Sequence, residues 1–143
     1  VCHFVDLAMY LAGADIKSVS ADAMEDQHQN TAVINLEFAN GSVASISYFS
    51  NGSNKLPKEQ IDVFCGGTVA QIDDFKRLTI YSDKVKKIKF KGQDKGHKEE
   101  IKQFFDSITN GTPCPIPFRE CYLSTLATLK VLQSIRENRK IAL

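Results

Sequence analysis

The sequence predicts an α+β fold, built on a mainly antiparallel open sheet of about six strands with helices packed on one face. Three observations carry that prediction. Short alternating segments joined by tight-turn signals fill the chain from Ile16 to Phe90. The apolar period then lengthens to helix spacing in the last third. A separate helical pattern opens the chain. Strands that follow one another through tight turns pair antiparallel, and helices gathered at the ends of such a run cover one side of the sheet.

The opening helix runs from Cys2 to Gly13, and the glycine is a plausible stop. His3, Asp6 and Tyr10 form a polar stripe on it, while Phe4, Val5, Leu7, Ala8 and Leu11 form the apolar side. No capping Ser, Thr, Asp or Asn and no initiator Met precede it, so the chain reads as a piece of a longer protein. Ile16 to Ala21 reads as a strand, and Asp22 to Gln29 as a loop or strand extension. Ala32, Ile34, Leu36 and Phe38 alternate as a half-buried strand. Asn40-Gly41 is a hairpin signal, and Val43 to Ser50 is the return strand. Ile61 to Cys65, Val69 to Asp73, Arg77 to Ser82 and Val85 to Phe90 supply the remaining strands, with Gly66-Gly67 and Ser82-Asp83-Lys84 as turns. Ile101, Phe104, Phe105 and Ile108 recur at helix spacing up to Asn110-Gly111. Pro113, Pro115 and Pro117 mark an extended linker, since proline lacks a donor and biases its predecessor away from helix. Glu120 to Asn138 is helical, with an apolar arc through Leu123, Leu126, Leu129, Val131, Leu132 and Ile135; Ile141 to Leu143 adds a short strand. The uncovered side of the sheet is expected to show residues such as Asn35, Glu37, Ser45 and Ser47, a flat surface suited to a second copy of the chain.

The 143 residues suit one domain able to bury a core, and 43% hydrophobic content is ordinary for a globular protein. A net charge of +1 gives no pointer to nucleic acid or an anionic membrane, and no membrane span or signal peptide is visible. Cys2, Cys65, Cys114 and Cys121 form no C-x-x-C pair, so free thiols and a cytoplasmic, reducing location are expected. Cys114, Cys121 and His97 match no common zinc spacing, and no metal is expected. Asn40, Asn51 and Asn110 match the glycosylation pattern, but each sits at an Asn-Gly turn signal that explains it without a sugar.

The residues also carry a resemblance. Cys2-His-Phe-Val-Asp-Leu-x-x-Tyr-Leu-x-Gly13 resembles the helix that opens the substrate domain of the Gfo/Idh/MocA oxidoreductases, which include glucose–fructose oxidoreductase and inositol dehydrogenase. Phe38 to Ile46 resembles the central hairpin of that domain. Pro57 to Gly67 followed by Ile72 to Phe75 resembles its next two strands. Gln93 to His97 and Gly111 to Ile116 resemble the two ends of its penultimate helix. Lys58-Glu59, Asp73-Asp74-Phe75 and Asp94-Lys-Gly-His97 are similar to a bacterial subgroup fused to a zinc-type alcohol dehydrogenase module.

The resemblance implies a dihydrodipicolinate-reductase-like C-terminal domain spanning 1–143, which binds substrate and forms oligomers. It implies a parent enzyme that is an NAD(P)-dependent dehydrogenase of a sugar, polyol or nucleotide sugar. His3 matches the family's catalytic histidine and Asp6 its partner. No Gly-x-Gly-x-x-Gly lies between a strand and a helix, so the NAD or NADP of the parent is expected on an N-terminal dinucleotide-binding domain absent from this chain. The chain alone is expected to be inactive.

The residues fit those roles chemically. An alcohol that loses hydride must also lose its hydroxyl proton, and a neutral imidazole can take it. Asp6, one turn on, can fix the tautomer. Tyr10 shares the stripe. Lys95 and His97 sit in the loop before a helix, where free backbone donors can meet a hydroxyl or phosphate; the plainer reading is a solvated helix start capped by Asp94. The one charge cluster comprises Lys84, Lys86, Lys87, Lys89, Lys91 and Lys95, with Lys87, Lys89 and Lys91 on one strand face. Such lysines guard an exposed edge strand, or attract a phosphorylated or nucleotide-linked substrate; the guard is the favoured reading. A competing reading of the whole chain is a non-catalytic α+β dimerisation or binding module, in which His3 and Asp6 are incidental.

Overall fold

The computed structural model describes residues 1–25 and 31–143, and the far end of the Asp22–Gln29 stretch lies outside the described residues. The order is α1 (Cys2–Ala12), β1 (Ile16–Ala23), β2 (Thr31–Phe38), β3 (Val43–Phe49), β4 (Gln60–Cys65), β5 (Thr68–Asp73), β6 (Arg77–Tyr81), β7 (Val85–Lys89), α2 (His97–Asn110), α3 (Phe118–Glu137) and β8 (Ile141–Ala142). The antiparallel α+β class holds. Among the described residues the strands number eight and pair as two sheets of four, ordered β3-β2-β1-β8 and β4-β5-β6-β7. They belong to two compact units: one contains residues 1–51 and 114–143, the other 52–113.

In the first unit, alternation in β2 points Ile34, Leu36 and Phe38 to one side, where Val19 of β1 and Ile46 of β3 join them. Val5 and Met9 of α1, Ala127 and Val131 of α3 and Ile141 of β8 complete that core. Gly13 ends α1 with φ 60°, and its N–H returns to the Met9 carbonyl, a conformation that glycine adopts without a Cβ penalty. The Arg119 guanidinium donates to both oxygens of Asp15 at 2.6 and 2.7 Å, tying the first turn of α3 to the α1–β1 connection. Ser134, 1% exposed, accepts the Ala21 N–H at 3.0 Å and donates to the Arg139 carbonyl at 2.6 Å. It occupies the rung of β1 that β8 is too short to reach, since β8 pairs only with Ser18 and Val19. The open side of the sheet shows Asn35, Ser45 and Ser47 exposed and Glu37 half-buried, the set expected from sequence.

Two helix faces differ from expectation. On α1 the buried positions are Val5 and Met9, whereas Leu11 is 46% exposed. On α3 small residues, Ser124, Ala127 and Ser134, join Val131 as the buried set, while Leu129 and Leu132 face outward. Small side chains let α3 lie close on β1, so the contact follows size rather than hydrophobicity there.

In the second unit, β4 to β7 form three consecutive hairpins. One face of this sheet carries Ile61, Val63, Ala70, Ile72, Leu78, Ile80 and Ile88, all half-buried. Ile101, Phe104, Phe105 and Ile108 of α2 are 48–63% exposed. The helix spacing located α2 without identifying a packing partner.

Candidate functional site

His3, Asp6 and Tyr10 fall on one side of α1, three and four residues apart, because Val5 and Met9 fix the opposite side in the core. His3 is exposed, Asp6 is half-buried and Tyr10 is 81% exposed. The Phe4 ring lies against the imidazole, with centroids 4.2 Å apart and the planes tilted by 44°. That contact sits on a helix seated in the core through Val5 and Met9. An exposed imidazole with a carboxylate one turn away can exchange a proton with a hydroxyl brought to it.

Lys95 and His97 belong to the other compact unit. His97 opens α2 and is exposed. Asp94 does not cap the helix directly. Gly96 is the N-cap residue, and the Asp94 carboxylate accepts the Gly96 N–H at 2.9 Å, so it shapes the turn before the helix. Glu99 and Glu100 in the first turn complement the helix dipole.

Lys95 is already engaged. Its ammonium donates to Glu59 Oε1 at 2.6 Å and stands 5.7 Å from the centre of the Phe75 ring. Glu59 is 8% exposed, and Gln93 Nε2 reaches both Glu59 Oε2 at 3.4 Å and Asp74 Oδ1 at 3.0 Å. The Asp74 N–H donates to the Glu59 carbonyl at 2.7 Å. Asp74 also takes the Lys76 ammonium, which holds its carboxyl below the usual carboxylate range. Asp74 and Phe75 both adopt left-handed φ, 50° and 52°. Glu59, Asp74-Phe75 and Gln93 to Lys95, segments far apart in sequence, therefore meet in one polar cluster. Sequence reading grouped these segments by resemblance and missed their contact. No period or spacing in the sequence pairs them.

Beside this cluster lies a recess of about 310 Å³ lined by Ile72, Phe75, Arg77, Leu78, Phe90, Asp94 and Gly96. A second, of about 460 Å³, is lined by Gln60, Gln71, Ile72, Asp73, Arg77, Thr79, Tyr81, Lys87 and Lys89. Of the lysine strip, Lys87 and Lys89 share a face of β7, while Lys91 lies beyond the end of the strand.

Among the described residues no glycine-rich strand-to-helix turn of the dinucleotide-binding kind is found. Gly66 and Gly67, with φ 54° and 77°, turn β4 into β5 and open no helix. The passage from β7 to α2 carries Gly92 and Gly96, but it leaves an antiparallel strand and lacks the Gly-x-Gly-x-x-Gly spacing. Among the described residues no group of three or more His, Cys, Asp or Glu side chains could hold a metal ion, and no helix is long and apolar enough to cross a membrane.

Residues 1–69 match the family model described as the GFO/IDH/MocA C-terminal domain. No curated protein sequence matches the chain. Among solved structures, UDP-N-acetylglucosamine 3-dehydrogenase GnnA from Acidithiobacillus ferrooxidans superposes with a TM-score of 0.83 at 20% identity, over 95% of this chain and 45% of that one. An oxidoreductase from Agrobacterium radiobacter, in complex with NAD+, L-tartaric acid and magnesium, gives 0.81 at 14% identity, over 99% and 47%. Aldose-aldose oxidoreductase from Caulobacter crescentus, complexed with glycerol, gives 0.80 at 16% identity, over 99% and 45%. The chain thus spans under half the length of these proteins. Residues 1–69 carry the sequence signature of a GFO/IDH/MocA C-terminal domain, on a fold that the chain shares along nearly its whole length with oxidoreductases of known structure.

Proposed function

We propose that the chain is the substrate-binding and oligomerisation domain of an NAD(P)-dependent oxidoreductase acting on a sugar, polyol or nucleotide sugar. His3 is the general acid/base and Asp6 orients it. Tyr10, Lys95 and His97 contribute to substrate binding, Lys95 while paired with Glu59. The observation that carries this reading is the exposed imidazole on a core-anchored α1, inside the segment that matches the family. The names of the structural neighbours, a nucleotide-sugar dehydrogenase and an aldose oxidoreductase, support the substrate class.

In this reading the substrate hydroxyl gives its proton to the His3 imidazole as the carbinol carbon is oxidised, and takes it back in reduction. Asp6 holds the imidazole in the tautomer that leaves the accepting nitrogen toward the substrate. The dinucleotide is held by a separate domain of the full-length protein, and this chain alone gives no turnover. The open sheet face around Asn35, Ser45 and Ser47 meets a second copy. Lys58-Glu59, Asp73 to Phe75 and Asp94 to His97 support placement in the subgroup fused to a zinc-type alcohol dehydrogenase module.

The test is turnover by the full-length protein against a panel of polyols, aldoses and nucleotide sugars, followed by absorbance of the reduced nicotinamide. His3→Ala is expected to lower kcat by about 10²-fold or more on the substrate found. A rate within a few fold of wild type removes His3 from the mechanism.

A further inference from the structure

The two faces of the β4–β7 sheet are chemically unlike. One is aliphatic. The other is laid out in cross-strand rungs: Gln60, Asp73, Arg77 and Lys89 in the first, then Asp62, Gln71, Thr79 and Lys87 in the second, with Phe64, Val69, Tyr81 and Val85 in the third. Arg77 and Lys89 are directly opposite each other on adjacent strands, about 5 Å apart at Cβ, and Lys87 follows Lys89 about 7 Å along the same strand face. Like charges directly opposite destabilise a sheet. Only one carboxylate among the recess residues, Asp73, offsets them, by pairing with Arg77. Asp62 stands three strands from Lys87 on the same face and does not line the recess.

An edge-guarding role accounts for lysines on β7, which is the edge of its sheet among the described residues. It does not account for what surrounds them. Arg77 lies on the inner strand β6. Thr79, 7% exposed, contributes to the same recess, and so do the amide of Gln71 on β5 and the phenol of Tyr81. Cations and neutral donors from three strands therefore converge on a hollow of about 460 Å³, a volume suited to a small molecule rather than a macromolecule. The hollow has more positive than negative side chains, although the whole chain carries a net charge of only +1.

We propose that this recess is a binding site for a small molecule carrying two linked phosphates. Arg77 and Lys89 take one phosphate and Lys87 the other, with Thr79 and Gln71 donating to the bridging region. The proposal does not depend on His3 or on any redox activity, so it stands or falls separately from the oxidoreductase reading.

The test is titration of the isotopically labelled chain with sodium pyrophosphate, followed by amide NMR, with uridine diphosphate, inorganic phosphate and uridine as parallel probes. Pyrophosphate is expected to give saturable shifts at residues 77–81 and 85–89, weakening as salt is raised. Lys87→Gln with Lys89→Gln should weaken it at least tenfold. Lys84→Gln with Lys86→Gln removes the same charge from the turn and the opposite face, and should change it less than twofold. Binding of uridine diphosphate as tight as pyrophosphate, with uridine silent, assigns the site to nucleoside diphosphates; binding of pyrophosphate alone assigns it to non-nucleotide diphosphates. Either supports the proposal. No saturable shift at millimolar pyrophosphate overturns it. So does an equal loss in both double variants, which marks diffuse charge, and so does self-association of the chain through these strands that pyrophosphate leaves unchanged.

Discussion

Ser134→Ala isolates a single hydroxyl that completes the first sheet. Its oxygen takes the Ala21 N–H, which β8 is too short to pair, and its hydrogen goes to the Arg139 carbonyl. Ala21 is 6% exposed and Ser134 is 1% exposed, so no water replaces the lost oxygen without opening the α3–β1 contact. An orphaned buried N–H costs about 1–3 kcal/mol, whereas the Arg139 carbonyl lies by an exposed residue and can turn to solvent. The expected loss is about 2 kcal/mol, equivalent to a fall in Tm of about 4–8 °C for a chain of this length. Ser124→Ala is the matched control. Ser124 is also buried, but its hydroxyl only returns to the Cys121 carbonyl within α3, so its removal should cost under about 0.5 kcal/mol. Urea denaturation followed by circular dichroism measures both, and hydrogen exchange at Ala21 reads the amide directly. Equal costs for the two serines, or unchanged protection of the Ala21 amide in Ser134→Ala, would refute the reasoning.

Lys95→Met leaves the Glu59 carboxylate buried with Gln93 alone, and should cost about 2 kcal/mol by urea denaturation; Glu59→Gln should cost less, because Lys95 can turn to water. The reverse order would show that Lys95 does not depend on Glu59. Gly13→Ala places a Cβ at φ 60° and should lower stability by about 1 kcal/mol, with Gly13→Asn milder; thermal melts compare them. Acid titration tests two carboxylates whose values the fold lowers, Asp15 through Arg119 and Glu37 through Lys140 and Ser18. Each contributes stability that is fully present above its ordinary carboxyl value and is lost as pH falls through the lowered folded value. Asp15→Asn should therefore flatten the acid limb of the stability curve, and an unchanged limb would contradict the assignment.

Much of the fold was legible because its signals are local. Asn40-Gly41 and Gly66-Gly67 each sit where a strand turns back, and Gly13 and Gly111 close helices in the left-handed conformation. The alternation of Ile34, Leu36 and Phe38 fixed which face of β2 enters the core. What sequence could not show was pairing at a distance. Nothing in a linear reading puts Lys95 on Glu59, or Ser134 on Ala21, because neither contact follows a period. Helix faces were legible only where size and hydrophobicity agree. On α3 they diverge, and the small residues took the contact with β1. The division of the strands into two sheets among the described residues was likewise hidden, since every hairpin signal is satisfied whether or not successive hairpins join. For the candidate site, spacing placed His3, Asp6 and Tyr10 on one helix side, and the structure keeps them there.

The central claim is that the His3 imidazole transfers the substrate proton. The most direct measurement is the pH dependence of kcat/KM for the full-length protein, wild type against His3→Gln, in the direction of alcohol oxidation. The expected result is a limb of the wild-type profile that is lost in His3→Gln together with most of the activity. An identical limb in both proteins would contradict it.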